Sequence, residues 1–229
     1  LQLAKNWPQS SADMAELLVI RHGQASFGAA NYDVLSDLGR RQARAAGAWL
    51  RQMEWTPDRI ITGTLDRQID TATEMGFSPQ LETHQGLNEY DFGSLLDTRF
   101  KDGLPDLVQA DRKTHFRTLR ETVFEWQRGE IDNPYETWPA FVERVAAARR
   151  FAVEAGAKRV LLVSSGGVIG QMVAASLGAP DAHMMQLNLQ IKNTAMTRFM
   201  FSGAAFSLSE FNATPHFSTP QSAPLMSYS

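Results

Sequence analysis

Three short apolar runs, each followed by a stretch with helical spacing, constrain the fold of this chain more than any other feature. The runs cover residues 16–21, 59–62 and 160–163, and each has the length and composition of a buried strand. Apolar spacing predicts helices over 36–55, 65–75, 104–129, 138–156 and 167–178. Two further strands, 193–201 and 204–212, are predicted to form a hairpin. This alternation predicts an α/β fold, a three-layer α/β/α sandwich around a mostly parallel mixed sheet.

Composition narrows the class of protein and the partners it can have. The chain has 229 residues, 43% hydrophobic and 21% charged, which is enough to bury the core of one domain. Its net charge is −3 and no run of like charges occurs, so we expect neither nucleic acid nor a membrane surface as a partner. The absence of cysteine excludes a disulfide framework and thiolate catalysis, and is compatible with the cytoplasm. We expect no signal peptide and no membrane span.

Chemically useful side chains follow all three apolar runs. The first run leads into Arg21 and His22, the second is followed by Arg67, and the third leads into Ser165 and Gly166. Ligands gather at the carboxyl ends of parallel strands, so these residues are expected at one crevice. Each has an ordinary structural explanation, as a surface ion pair or a tight turn. Together, an imidazole and two guanidinium groups suit a phosphoryl group, because they supply a nucleophile and planar cationic forks.

Six sequence blocks, in order, resemble those of the histidine phosphatase superfamily, the phosphoglycerate mutase-like group. The blocks are LLVIRHGQASFG, LSDLGRRQA, TGTLDRQIDTA, GLNEYDFG, VLLVSSGGVIG and NATPHF. The strand followed by RHG is the most specific of them. The resemblance covers most of the chain, is weakest across 95–138 and is absent from the first fifteen residues. It implies a phosphoglycerate mutase-like fold in a single domain over 1–229, with a helical cap inserted at about 95–138 that roofs the site.

The resemblance also assigns roles to the residues at the predicted crevice. It implies that His22 is the nucleophile that accepts the phosphoryl group, and that Glu89 donates a proton to the leaving alkoxide. Arg21 and Arg67 are then the cations that stabilise the phosphoryl oxygens. Asp91 is the alternative acid and ranks behind Glu89. The resemblance implies a small phosphorylated substrate. It also implies no cofactor, because the reaction needs only these groups.

The turn after the third strand departs from the family pattern. Where the family has S-H-G-G, this chain has Ser164, Ser165, Gly166 and Gly167, so Ser165 replaces a histidine that donates a hydrogen bond to the phosphoryl group. A serine hydroxyl is shorter and never cationic. Since losing one preorganised donor costs about a hundred- to a thousandfold in turnover, we expect a slow enzyme. The sequence fits a natural serine and one introduced by mutagenesis equally well.

A second departure lies in the loop after the first strand, and the remaining histidines show no metal-binding pattern. Gly28 stands where the mutases have a phosphate-binding asparagine, and Asn31 is a substitute if the loop runs differently. The other histidines lack a paired spacing such as H-x-H, so we expect no metal site. They are His84, His115, His183 and His216.

Several functions remain open, and a phosphatase ranks first. The preferred function is a phosphomonoester hydrolase that works through a phosphohistidine and is weakened by Ser165. A non-catalytic relative that binds a phosphorylated ligand or a partner rests on Ser165 alone. A mutase-type phosphotransferase ranks lower, because a serine in place of the second histidine hinders repeated transfers. A serine hydrolase with Ser165 as nucleophile is weak, because Val163 stands where the G-x-S-x-G elbow has glycine.

The cap and the C-terminal segment carry further expectations. Basic and aromatic residues interleave across 95–138, which predicts an amphipathic helical cap with its basic face in water. We expect residues of this cap to determine which substrate is recognised. The Ser- and Pro-rich segment 216–229 has the composition of a disordered end. Two ordered placements are open to it: across the domain, or against a second copy of the chain in a homo-oligomer.

Overall fold

The computed structural model describes residues 14–26, 33–101, 112–154, 156–203 and 205–228, and one mixed sheet runs through them. Its strands are β1 Ala15–Arg21, β2 Arg59–Thr62, β3 Leu81–Thr83, β4 Arg159–Ser164, β5 Met196–Ser202 and β6 Ala205–Ala213. They lie side by side in the order β3-β2-β4-β1-β5-β6. The neighbouring pairs among β1 to β4 are parallel, and β5 and β6 add an antiparallel hairpin at one edge. This is the mostly parallel mixed sheet that the sequence predicts.

Helices connect the strands in the described part of the chain. They are α1 Asp37–Gln52, α2 Asp66–Met75, α3 Phe92–Arg99, α4 Arg112–Gln127, α5 Trp138–Glu154, α6 Gly166–Ser176 and α7 Ala182–Asn188. Local sequence sets their ends. Ser36 caps α1, because its Oγ accepts a hydrogen bond from the Gly39 amide at 3.1 Å. Gly76 ends α2 in the left-handed conformation, with φ of 71°.

Both faces of the sheet are covered, which confirms the three-layer sandwich. Consecutive residues of a strand point to opposite faces, and β1 buries both of them. Val19 belongs to the same buried cluster as Phe141 of α5, whereas Ile20 belongs to the cluster that contains Leu50 of α1. Burying one such side chain stabilises the fold by about 1.5–3 kcal/mol, so strands buried on both faces stabilise the sheet strongly.

Three short elements were not predicted from the sequence. β3 has only three residues, too few for a periodic signal. α3 begins at Phe92, in a polar, glycine-bearing stretch of the sequence, and Asp91 caps it by accepting a hydrogen bond from the Ser94 amide at 2.9 Å. α7 has seven residues and follows α6 closely. Of the helix predicted over 104–129, the part through residue 111 lies outside the described residues.

The cap helix α4 is amphipathic, as its sequence pattern predicts. Arg117 and Arg120 are exposed, whereas Val123 and Trp126 are buried. The Trp126 ring packs at right angles to that of Trp138, with ring centroids 5.1 Å apart. The side chains of residues 112, 113 and 115 lie outside the described part. The roofing role of the cap stays a prediction, because residues 102–111 are likewise outside it.

Within the described residues the C-terminal segment packs across the domain, which is one of the two placements that the sequence leaves open. The Ser227 carbonyl accepts a hydrogen bond from the Asn193 amide at 3.1 Å, and its Oγ accepts one from Gln42 Nε2 at 2.8 Å. His216 is buried beside Thr194, with 3.0 Å between Nε2 and Oγ1. Burial lowers the pKa of His216 to about 4, so the ring is neutral at pH 7. Composition alone does not choose between the two placements, because it does not reveal buried partners far along the chain.

Candidate active site

His22 follows β1 directly and is held as a neutral ring with a defined tautomer. Its Nδ1 lies 2.7 Å from the Gly23 carbonyl, which can only accept, so Nδ1 carries the proton. Its Nε2 lies 3.3 Å from Arg67 Nε, which can only donate, so Nε2 presents its lone pair. Burial, followed by the charges of Arg21 and Arg67, holds the pKa of His22 well below its usual value. The ring is therefore neutral near pH 7, which is the state that a nucleophilic histidine needs.

Arg67 reaches His22 from the first turn of α2, and Asp33 fixes its guanidinium. Arg67 Nη1 donates to Asp33 Oδ1 at 2.5 Å, and the other carboxylate oxygen accepts from the Asp66 amide at 3.0 Å. Asp33 thus also caps α2, whose own cap residue, Leu65, has no side-chain acceptor. Sequence reasoning missed Asp33, because a lone loop aspartate carries no signal. Both Gly28 and Asn31 lie outside the described residues.

Arg21 is the last residue of β1 and lies beside the N-terminus of α6. One of its guanidinium nitrogens, Nη1, donates to the Ile191 carbonyl, just beyond α7. A Cβ placed on Gly166 would collide with Asn188 Oδ1 and would lie 3.7 Å from Arg21 Cζ. A side chain at position 166 would therefore require the Asn188 side chain to move, whereas its distance to Arg21 would be an ordinary van der Waals contact.

Glu89 points at the first turn of α6. Its Oε2 accepts a hydrogen bond from the Gly167 amide at 3.0 Å, and a Cβ on Gly167 would collide with its Oε1. The exposed amides of a helix N-terminus favour such a carboxylate. Burial and the charge of Glu89 raise the pKa of the adjacent Tyr90 hydroxyl. Asp91, the alternative acid, is instead engaged in capping α3, which leaves Glu89 as the better candidate.

Ser165 occupies the N-cap position of α6 and is completely buried. Its Oγ accepts a hydrogen bond from Gln68 Nε2 at 2.8 Å, and the same amide group donates to the Leu87 carbonyl at 3.0 Å. An amide cannot take a proton from serine, so this contact gives no support to Ser165 as a hydrolase nucleophile. The hydroxyl keeps its own hydrogen for donation. Gln68 was not singled out from the sequence.

Strand register explains why these residues meet. Arg21 of β1 pairs with Ser164 of β4, and Thr62 of β2 pairs with Val163. The three strands therefore end at the same edge. The chain segments that follow them carry His22, Arg67 and the N-terminal turn of α6. At this edge His22 and Arg67, both predicted from the sequence, are in direct contact. The other two predicted residues, Arg21 and Glu89, both lie beside the first turn of α6.

The other histidines within the described residues have structural contacts. His84 Nδ1 accepts from the Gly86 amide at 3.0 Å, and His183 Nδ1 lies 3.3 Å from the Pro180 carbonyl. Over the same described ranges, no group of three or more His, Asp or Glu side chains is placed to hold a metal ion. None of the helices in these ranges is long and apolar enough to cross a bilayer. The side chain of His115 lies outside them.

Comparison with known proteins identifies the family. The model of the histidine phosphatase superfamily (branch 1) matches residues 17–214. The chain belongs to this superfamily. A glucosyl-3-phosphoglycerate phosphatase of Mycolicibacterium vanbaalenii is 27% identical over 179 residues, which is 72% of this chain and 75% of that protein. The sequence-based family assignment is therefore confirmed.

Solved structures of two phosphatases share the fold of this chain. The mycobacterial glucosyl-3-phosphoglycerate phosphatase complexed with VO3 has a TM-score of 0.63 and 26% identity, covering 87% of this chain and 100% of that chain. A phosphoserine phosphatase of Entamoeba histolytica, in complex with 3-phosphoglyceric acid, has a TM-score of 0.62 at 20% identity, covering 88% and 98%. The second likeness, at its lower identity, shows the fold alone, and the predicted phosphoglycerate mutase-like architecture is confirmed.

Proposed function

We propose that this histidine phosphatase hydrolyses small phosphorylated metabolites through a phosphohistidine at His22. One observation carries the proposal: the buried imidazole of His22 is neutral, and its Nε2 lies 3.3 Å from Nε of Arg67. A nucleophile with an adjacent cation is what phosphoryl transfer requires. The name of the relative at 27% identity, a glucosyl-3-phosphoglycerate phosphatase, supports a small phosphorylated substrate.

In the first proposed step, His22 displaces the alcohol of the substrate. Nε2 forms a bond to phosphorus while the ester P–O bond breaks, and the leaving oxygen takes a proton from the Glu89 carboxyl group. This step needs the Glu89 carboxyl group in its protonated form. The Gly23 carbonyl keeps the proton on Nδ1, so the ring stays correctly oriented as its charge rises.

In the second proposed step, water removes the phosphoryl group from His22. A water oxygen attacks phosphorus, the P–Nε2 bond breaks, and the Glu89 carboxylate accepts the water proton. Inorganic phosphate leaves, and both residues return to their starting protonation states. One carboxyl group therefore acts as acid and then as base. No group beyond the chain's own residues and water takes part.

The phosphate-binding role is proposed for Arg21, Arg67, Ser165 and Gly166. The two arginines supply fixed positive charge on the phosphoryl oxygens, and the serine hydroxyl supplies a neutral donor. Gly166 keeps the first turn of α6 free of a side chain, so that the phosphoryl group can approach its amides. A neutral donor in place of the family's histidine predicts turnover below that of relatives with histidine at this position.

A mutase and a non-catalytic binder remain the ranked alternatives. Repeated transfers in a mutase would need the phosphohistidine to be bound firmly, which the neutral serine favours less than a histidine. A non-catalytic role would leave the neutral, preorganised nucleophile without a purpose. The cytoplasm is the proposed compartment, on the sequence alone.

The experiment that tests the function measures inorganic phosphate released from an aryl phosphate and from a panel of phosphorylated sugars, glycerates and amino acids. We expect release by the protein to exceed that of His22→Ala by at least about 10⁴-fold on its best substrate. The variant is a matched blank, because it removes the nucleophile and leaves both arginines and Glu89. Equal release by the two proteins, or none above background from either, would overturn the proposed hydrolysis.

A further inference from the structure

Arg144 of α5 clamps the short segment that leads to Glu89. Its Nη1 donates to two backbone carbonyls, that of Asn88 at 2.7 Å and that of Gly86 at 3.1 Å. Its other edge forms a two-pronged pair with Glu136, with Nε to Oε1 at 2.5 Å and Nη2 to Oε2 at 2.9 Å. One guanidinium therefore joins the carbonyl of the residue before Glu89 to a carboxylate in the turn before α5.

Side chains from other elements hold the rest of this segment. The Leu87 carbonyl accepts hydrogen bonds from Ser164 Oγ at 2.7 Å and Gln68 Nε2 at 3.0 Å. The Asn88 side chain accepts from the Thr64 amide and donates to the Thr64 hydroxyl, both at 2.7 Å. All three carbonyls from 86 to 88 are thus held, and the Arg144 contacts hold the first and the last of them.

Glu136 is in turn held by the cap helix and by α5. Its backbone carbonyl accepts a hydrogen bond from Trp126 Nε1 of α4 at 2.6 Å. The Arg144 guanidinium lies over the Phe141 ring, 4.8 Å from its centroid. Both charged side chains are mostly buried, at 23% and 21% exposure. A pair this shielded, with its hydrogen bonds filled, holds a defined geometry better than a surface ion pair does.

We propose that Arg144 is a positioning residue for proton donation: it holds the backbone before Glu89 so that the carboxyl group lies at the α6 turn, where the leaving oxygen of the substrate departs. The proposal rests on the proposed function, and specifically on Glu89 as the acid. Arg144 touches neither substrate nor the reacting atoms. It acts through the Asn88 carbonyl, one peptide bond from Glu89. Proton donation is sensitive to such placement, because a displacement of about 1 Å costs up to about a hundredfold.

The choice of leaving group separates positioning of the acid from general damage. An alkyl phosphate expels a basic alkoxide and needs the proton, whereas p-nitrophenyl phosphate expels a stabilised anion and hardly needs it. We expect Arg144→Gln to lower kcat/KM for the alkyl ester about ten- to a hundredfold more than for p-nitrophenyl phosphate. The ratio of the two values is independent of the amount of folded enzyme, so loss of stability alone leaves it unchanged.

Two further variants make the result decisive. Arg150→Gln makes the same change on the same helix, at an exposed pair with Glu143, and should leave the ratio unchanged. Glu89→Gln removes the acid and should change the ratio at least as much as Arg144→Gln. If Glu89→Gln lowers kcat/KM more for the alkyl ester than for p-nitrophenyl phosphate and Arg144→Gln does not, the positioning role is overturned and the proposed function stands. If Glu89→Gln lowers kcat/KM equally for both substrates, the assignment of Glu89 as the acid is overturned, and so is the positioning role of Arg144.

Discussion

Replacing Arg67 by alanine is expected to lower kcat/KM for a phosphomonoester by about 10³- to 10⁵-fold, the range over which a single arginine acts in phosphoryl transfer. Its Nε already lies 3.3 Å from His22 Nε2, the proposed attacking nitrogen, and Asp33 accepts a hydrogen bond from its Nη1. The charge is therefore present at His22 before substrate binds, as electrostatic preorganisation requires. Steady-state kinetics on the best substrate of the panel measure the loss.

The pH dependence of the same variant provides an independent readout. The charge of Arg67 is one cause of the lowered pKa of His22, after burial and the charge of Arg21. Removing it raises this pKa, so His22 becomes protonated and inactive at a higher pH. The acid limb of the kcat/KM profile should therefore move to higher pH. Arg40→Ala, which breaks a half-exposed ion pair with Asp70, is the control. If Arg67→Ala lowers kcat/KM no more than Arg40→Ala does, the assignment of Arg67 is contradicted.

Replacing Ser165 by histidine is expected to raise turnover by about a hundred- to a thousandfold. The substitution restores the family's imidazole donor at the N-cap of α6, where it would replace a neutral hydroxyl with a longer group able to carry charge. Gln68 must give up its 2.8 Å contact with Ser165 to admit the ring. The measurement is kcat on the same substrate, with the free energy of unfolding recorded for each variant so that folded protein is compared with folded protein.

Ser165→Ala is the matched comparison for this gain. It removes the hydroxyl without adding volume, and we expect turnover to fall below that of the original protein, since the remaining neutral donor is lost. A gain for histidine together with a loss for alanine would establish Ser165 as a weak phosphate donor. If alanine leaves turnover unchanged and histidine does not raise it, position 165 takes no part in phosphate binding.

The elements with strong local signals were predictable from the sequence. β2 was predicted at 59–62, and it spans Arg59–Thr62 because an apolar run closed by glycine has few alternatives. The predicted starts and ends of α1 and α2 lie near Ser36 and Gly76, which the structure shows as an N-terminal cap and a left-handed C-terminal residue. β3 and α7 escaped prediction because they are too short for their periodicity to stand out. Their conformation depends on the sheet and on α6, against which they pack.

The candidate site shows the same division between local motif and distant contact. His22 and Arg67 lie in recognisable motifs at strand ends, so the sequence could name them. Asp33 meets Arg67 across 34 positions, and Arg144 meets the Gly86 carbonyl across 58. No spacing rule links residues so far apart. The supporting residues of the site become visible only when the fold brings them together.

The most direct test of the central claim is to locate the phosphoryl group on the enzyme during turnover. The protein is mixed with a ³²P-labelled phosphomonoester, quenched in base, under which phosphohistidine survives, and the labelled peptide is identified by mass spectrometry. The account predicts one labelled residue, His22, formed before phosphate release and absent from His22→Ala. A label on Ser165 or on any other side chain would contradict it.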